Sequence, residues 1–287
     1  MKYQSVGFAM TILIIGNLIA VFSDTFVKSV GSNGAVFQFV FFRQVAAVLL
    51  LLPFCYRSNW QGLTAGFKWH IIRGHIWLIG SIGMFIALNT LPLATANAIF
   101  YSAPLLMLPM AVLMYKEKLN RYSILAGVLG FTGVIVIIRP TEISLPAIAG
   151  LIVALSLALN NLLVKKLPTK QKLADSLLMT NITCLPVSFV LVLLENKPWH
   201  LDYIYPASGS SITILLYTCC GIIAYRSVES NKIASAEYSG LLGAVIVGIL
   251  WFNEIPDIFM LIGTLLIVIP MILVANREKK PLKPNLL

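Results

Sequence analysis

The sequence predicts an all-α polytopic membrane protein with ten transmembrane helices, arranged as two inverted five-helix repeats. Of its 287 residues, 59% are hydrophobic and only 11% are charged, and the mean hydropathy is +0.89. A soluble domain carries roughly 25% charged residues. Apolar stretches of about 20 residues, enough to cross a hydrocarbon core of about 30 Å, recur nearly end to end. A soluble core does not accommodate this much apolar surface.

Ten apolar segments follow one another with connections of only a few residues, which leaves no room for a separate soluble domain. The first segment is expected to remain as a helix, because it is too long for a signal peptide and no small-residue cleavage site follows it. The longest predicted connection spans residues 195–209. The predicted helices are 6–30, 35–54, 70–90, 95–115, 121–139, 144–165, 173–194, 211–227, 233–252 and 256–275.

The distribution of basic residues predicts the orientation, because cytoplasmic loops of membrane proteins are enriched in Lys and Arg. With the N-terminus inside, seventeen basic residues fall on the cytoplasmic side and three, Lys28, Arg139 and Lys197, on the other. We therefore expect a multi-pass protein of a bacterial-type inner membrane with both termini cytoplasmic and a basic tail at 278–287. The net charge of +10 reflects this topology, so no nucleic-acid partner is expected.

A shift of 137 residues relates the two halves of the chain. It aligns residues 23–28 with 160–165, and it superposes Asp24 on Asn161, Tyr101 on Tyr238, and Glu117 on Glu254. Residues 1–140 and 141–277 are accordingly predicted to form two repeats of five helices each. Because five is odd, the second repeat enters the membrane in the opposite orientation, which suits alternating access around a midplane site.

Several motifs, in their order and spacing, resemble the EamA-like family of the drug/metabolite transporter superfamily over essentially the whole chain. They are FSDTFVK at 22–28, FFR at 41–43 with LLP at 51–53, the stretch 87–117 with its LPLA turn at 91–94, and 238–254 with its WFNE end. The resemblance implies ten helices in two tandem repeats with cytoplasmic termini. Asp24, Lys28, Arg43 and the FNEIPD stretch at 252–257 are similar to the S-adenosylmethionine uptake carriers of that family.

This resemblance implies a secondary transporter that moves a small polar or zwitterionic metabolite by alternating access, with S-adenosylmethionine uptake as the named candidate. The alternatives are an amino-acid, vitamin or drug exporter of the same family and, from another class, a membrane-embedded enzyme. The sequence contains no Walker-type phosphate loop, and its four cysteines and three histidines lack metal-ligand spacing. We therefore expect no catalytic residues, metal or cofactor, and only a small-molecule substrate and membrane lipids as partners.

Four ionisable residues inside the predicted helices are the first candidates for the substrate pathway: Asp24, Lys28, Arg43 and Glu237. Each costs about 2.5–3.5 kcal/mol to insert, so such groups usually face a protein interior or a watery cavity. Asp24 and Lys28 are four residues apart on one helix and are expected to pair, and Arg43 is at a similar depth. Glu237 is predicted near the opposite mouth, separate from this cluster, and is the candidate for proton coupling.

Four uncharged residues complete the pathway or gating candidates: Asn89, Tyr101, Asn161 and Tyr238. Asn161 is the repeat counterpart of Asp24, and the two tyrosines are counterparts of each other. For each of these eight residues the alternative is a structural role, as an ion pair or as interhelical hydrogen bonding, which is common in membrane bundles.

Overall fold

The computed structural model describes residues 6–31, 34–116, 121–138, 144–228, 233, 236–237 and 239–278. Every regular element in these residues is helical, and none of them forms a strand. The end of the predicted basic tail, 279–287, lies outside the described residues. The all-α fold class is therefore confirmed for the part of the chain that is described.

The helices fall close to the predicted apolar segments. Two short 3-10 turns, Val164–Lys166 and Leu201–Tyr203, adjoin them. The α-helices are α1 Val6–Lys28, α2 Val36–Cys55, α3 Trp60–Leu63, α4 Phe67–Thr90, α5 Leu93–Phe100, α6 Ala103–Tyr115, α7 Arg121–Ile138, α8 Leu145–Leu163, α9 Leu173–Glu195, α10 Ile204–Ser227, α11 Ser239–Phe252 and α12 Ile258–Glu278.

Seven helical stretches in the described residues are long and apolar enough to cross a membrane. Three further apolar helices, Gly127–Ile138, Ser239–Phe252 and Ile258–Pro270, are shorter. The helices that meet the length criterion are Val6–Lys28, Val36–Cys55, Phe67–Thr90, Leu93–Tyr115, Leu145–Lys166, Leu173–Glu195 and Leu201–Arg226. The chain is thus a multi-pass membrane protein.

Two predicted boundaries are wrong. Helix α10 begins at Ile204 rather than at residue 211, because the polar stretch at its start is packed inside the bundle: Ser210 and Ser211 are buried, and Gly209 lies against the ring of Phe26. The fourth predicted helix is also interrupted at Tyr101 and Ser102. Pro104 at the start of α6 has no N–H to continue the α-helical ladder, and the Ser102 N–H turns back to the Ile99 carbonyl at 3.0 Å.

The helices pack in a small number of extensive pairs. Helix α1 lies along α10, α4 along α8, α2 along α9, and α7 along α12. The last pair approaches closely, since a Cβ atom on either Gly133 or Gly263 would meet the carbonyl oxygen of the other. Small residues at such contacts let helix backbones approach in a lipid environment, where apolar burial gives little driving force between helices.

Candidate functional site

The buried face of α1 carries the first polar residues of the bundle interior. Asn17, Ala20 and Asp24 recur at helical spacing and are all buried, so α1 directs two polar groups away from lipid. The interrupted helix α5–α6 faces them with Asn97 and Tyr101. The Asp24 carboxyl group interacts with the Asn97 side-chain amide and, electrostatically, with Arg43.

These side chains border a cavity inside the bundle, here called the central cavity. Its volume of about 50 Å³ has room for a few water molecules but not for a metabolite. The bundle is therefore closed around this cavity, without space for a metabolite. Its polar and aromatic lining consists of Asn17, Asp24, Trp77, Asn97, Tyr101 and Tyr217, together with Phe100.

Glu237 is buried among hydrogen-bond donors. Its Oε1 atom accepts a hydrogen bond from the Tyr225 hydroxyl at 2.6 Å and one from the Asn161 amide at 3.2 Å. Both Glu237 and Asp24 act electrostatically on the hydroxyl groups of Tyr101 and Tyr217. Glu237 thus has partners of its own and no direct contact with Asp24, but the charges of both carboxyl groups reach the same two tyrosines.

Arg43 lies in α2 with only 4% of its surface exposed. Its Nη1 atom has no hydrogen-bond partner among the described residues, and the guanidinium interacts with Asp24 without forming a direct ion pair. The residue borders a second, smaller cavity of about 20 Å³ together with Trp77, Ser81 and Ser156. A buried guanidinium with a free N–H beside a cavity can bind a carboxylate or another anion.

Lys28 lies away from this set, and its expected pairing with Asp24 is not formed. Its Nζ atom is 3.0 Å from Glu254 Oε1 and donates to the carbonyl oxygens of Leu88 and Leu91 at 3.0 and 2.8 Å. Glu254 Oε2 accepts the Leu93 N–H at 2.6 Å. These contacts, here called the Lys28–Glu254 latch, join the end of α1 to the α4–α5 connection and to the end of α11.

Two candidates from the sequence remain, Asn89 and Tyr238. Asn89 donates to the Val27 carbonyl at 3.3 Å and to the Phe85 carbonyl at 3.0 Å, so it links α4 to α1 near Lys28. Tyr238 lies outside the described residues.

Sequence reasoning missed Trp77 and Tyr217 as lining residues. Trp77 borders the central cavity, the Arg43 cavity and a third cavity beside Arg73. An aromatic residue in an apolar helix gives no sign in the sequence of whether it faces lipid or the interior. The spacing of polar residues could have indicated its orientation. Arg73 and Ser81 are each four residues from Trp77, so they share its helix face, and both are buried.

A helical membrane bundle with charged side chains around an interior cavity has the parts that a solute transporter needs. Among the described residues, no three His, Cys, Asp or Glu side chains are grouped to hold a metal ion. Residues 7–139 match the model of the EamA-like transporter family, in agreement with the resemblance seen in the sequence. This match, together with the relatives described next, indicates a membrane transporter rather than an enzyme.

Relatives align over nearly the whole chain. The S-adenosylmethionine uptake transporter of Rickettsia conorii is 27% identical over 267 residues, covering 90% of this chain and 89% of the relative. That of Rickettsia bellii is 25% identical over 295 residues, covering 100% and 99%. The pseudopaline exporter CntI of Pseudomonas aeruginosa is 21% identical over 267 residues, covering 89% and 92%.

A crystal structure of another protein matches this fold with a TM-score of 0.65 and 18% sequence identity. The match covers 97% of this chain and 100% of the other. At this identity the likeness supports the fold alone.

Proposed function

We propose that this protein is a secondary transporter of a small zwitterionic metabolite, built from ten transmembrane helices in two inverted repeats. It works by alternating access in a bacterial inner membrane with both termini in the cytoplasm. The observation that carries the proposal is the buried set of Asp24, Arg43 and Glu237 around interior cavities. Because charge inside a bilayer is costly, such groups persist where a substrate or ion uses them.

The pattern of helix contacts supports the inverted repeat. Under the 137-residue shift α1 corresponds to α8 and α4 to α10, so the α1–α10 and α8–α4 contacts are equivalent. The α2–α9 and α7–α12 contacts each pair a helix with its own counterpart. Both kinds of contact are compatible with a twofold relation between the halves.

Two local features repeat at equivalent positions. Lys116 and Asn253 are 137 residues apart, and both have positive φ angles, of 54° and 52°. Lys28 lies over the Phe252 ring at 5.5 Å, and its counterpart Lys165 lies over the Tyr115 ring at 5.1 Å. The lysine–aromatic contacts thus occur at both ends of the bundle, where two alternating gates are expected.

The charges of the interior suit an amino-acid-like substrate. The free Nη1 atom of Arg43 offers a site for a carboxylate, and Asp24 offers a site for a positively charged group. Glu237 is the proton-coupling residue in this scheme, because its carboxyl group is buried and acts on the same tyrosines as Asp24. Tyr101, Asn161 and Tyr238 complete the proposed pathway.

In this proposal, the direction of transport and the substrate are taken from the named relatives. S-adenosylmethionine carries both an amino-acid group and a sulfonium cation, and two relatives are named as its uptake transporters. Export of a carboxylate-rich metabolite is the second candidate, because another relative is named a pseudopaline exporter.

The test is uptake of labelled S-adenosylmethionine into proteoliposomes of the purified protein, with and without a proton gradient. We expect saturable uptake that is lost in Arg43→Gln and no longer responds to the gradient in Glu237→Gln. Arg57→Gln is the control, because Arg57 is an exposed arginine near the end of α2. Wild-type uptake no greater than in empty liposomes would exclude this substrate, whereas full uptake by Arg43→Gln would exclude the proposed pathway.

A further inference from the structure

A second group of basic side chains, two of them buried and one half-buried, lies apart from the lining of the central cavity. Arg73 and His70 are on the first turns of α4, and Arg226 is at the end of α10. Arg73 is 3% exposed and His70 is fully buried. Both arginines act electrostatically on His70, and the charge of Arg226 acts on Arg73, so the three basic groups share one region of the bundle.

In the part of the chain that the structure describes, both guanidinium groups have N–H-bearing atoms without hydrogen-bond partners. The buried Nε and Nη1 atoms of Arg73 have none, and neither do the buried Nε and Nη2 atoms of Arg226. A buried guanidinium is normally paired with a carboxylate or saturated by hydrogen bonds, because an unpaired buried charge is strongly unfavourable. Here four N–H-bearing atoms on two like charges are left without acceptors.

The neighbouring polar groups do not neutralise this charge. Asp175 accepts a hydrogen bond from the Ser58 hydroxyl at 2.6 Å, and no ion pair joins it to either arginine. Both ring nitrogens of His70 are occupied, by Thr180 and Gln171 at 3.0 Å each. Within the described residues, the two guanidinium groups therefore have no carboxylate partner.

A cavity of about 20 Å³ adjoins Arg73, large enough for one small polar group. Its polar lining is uncharged apart from Arg73 itself: Asn160, Thr180, Asn181 and Thr218. Trp77 lines both this cavity and the central cavity. The unpaired Arg73 thus borders a small space beside the proposed substrate pathway, and the charge of Arg226 acts on it.

We propose that Arg73 and Arg226 form a second binding site, which takes the carboxylate of the transported metabolite on its way between the central cavity and the adjacent mouth. A carboxylate fits the planar donor fork of a guanidinium and supplies the missing acceptors and negative charge. The site rests on the proposed transport function, since it lies beside the same pathway. It differs from the Arg43 site in having two cations and, among the residues that the structure describes, no acid that acts on them.

The test measures the thermal unfolding midpoint of the purified full chain in lipid nanodiscs. Sodium acetate, phosphate and chloride are compared at equal ionic strength in wild type, Arg73→Gln, Arg226→Gln and the control Arg57→Gln. A ligand that binds only the folded protein at free concentration c raises its stability by RT ln(1 + c/Kd), so the Tm rises with ligand concentration. We expect acetate to raise the Tm of wild type and Arg57→Gln, and to have no effect beyond that of chloride in the other two variants.

The proposed site and a purely structural role for the arginines predict different stabilities. If the proposal holds, Arg73→Gln in salt-poor buffer should unfold at the same temperature as wild type or a higher one, because the repulsion between two cations is removed. A lower Tm in both glutamine variants, or an equal acetate effect in all four proteins, would overturn the proposal. Equal effects of acetate and chloride, or of acetate and phosphate, would assign the site to an inorganic or lipid anion instead.

The acetate experiment and the transport assay test the binding site and the transport function separately. Loss of S-adenosylmethionine uptake with an intact acetate effect would remove the substrate and keep the carboxylate site. Normal uptake with no acetate effect would keep the transporter and remove the site.

Discussion

Replacing Lys28 by Met should weaken the closure of one end of the bundle. The ammonium group holds Glu254 Oε1 at 3.0 Å and two carbonyl oxygens at the end of α4. Methionine keeps the apolar stem over Phe252 but removes the charge and its hydrogen bonds. Glu254 then retains the Leu93 N–H as a partner but loses its counter-ion.

The magnitude follows from the burial of the pair. The side chains of Lys28 and Glu254 are only 15% and 19% exposed, so solvent screens the interaction much less than it would at the surface. A hydrogen bond to a charged group contributes about 1.5–3 kcal/mol. We take about 2 kcal/mol as the stabilisation that the closed form alone loses. The equilibrium between the closed and open forms of this end of the bundle should then shift towards the open form by roughly 30-fold.

Hydrogen–deuterium exchange at the Leu93 amide measures this shift, because that N–H is held by Glu254 in the closed form. The peptide that contains Leu93 should exchange roughly 30-fold faster in Lys28→Met if exchange follows local opening. Lys197→Met, at an exposed lysine, is the control and should not change it. Adding Glu254→Gln to Lys28→Met should produce little further effect. Unchanged exchange in Lys28→Met would refute the latch.

Two further substitutions test the packing. Gly133→Ala places a methyl group against the carbonyl oxygen of Gly263 and should cost about 1–3 kcal/mol of stability, whereas Gly127→Ala on the same helix, whose nearest neighbour is 3.7 Å away, should be nearly neutral in thermal unfolding. Gly240→Ala would overlap the Tyr101 hydroxyl, so it should lower the Tm and should be partly rescued by Tyr101→Phe, which removes that oxygen. An equal effect of both α7 variants, or no rescue of Gly240→Ala, would contradict these contacts.

Most of the fold was predictable because apolar length is a strong signal in a membrane protein. The start of α10 was not, since its Ser and Gly residues are polar by composition and are buried only through contacts such as that of Gly209 with Phe26. The interruption at Tyr101 was also missed. A proline inside an apolar run shows that a helix is strained, but neighbouring helices decide whether it bends or breaks.

The sequence predicted which charged residues belong to the candidate site, but it did not predict which residues they contact. The cost of charge in a membrane singles out Asp24, Arg43 and Glu237 from sequence alone. Lys28 was assigned to Asp24 by helical spacing, but a tertiary contact with Glu254 prevails. Arg73 was counted among cytoplasmic basic residues, because a residue near a helix end carries no signal of burial until the helix is packed.

Trp77 gives the protein a spectroscopic reporter of its own. Of the five tryptophans, Trp60, Trp199 and Trp251 are at least half exposed, whereas Trp77 borders three interior cavities. Indole emission moves to longer wavelength in a more polar, hydrated environment. If the other four tryptophans are replaced by phenylalanine, the emission wavelength of Trp77 would report, in real time, when water enters and leaves the interior cavities.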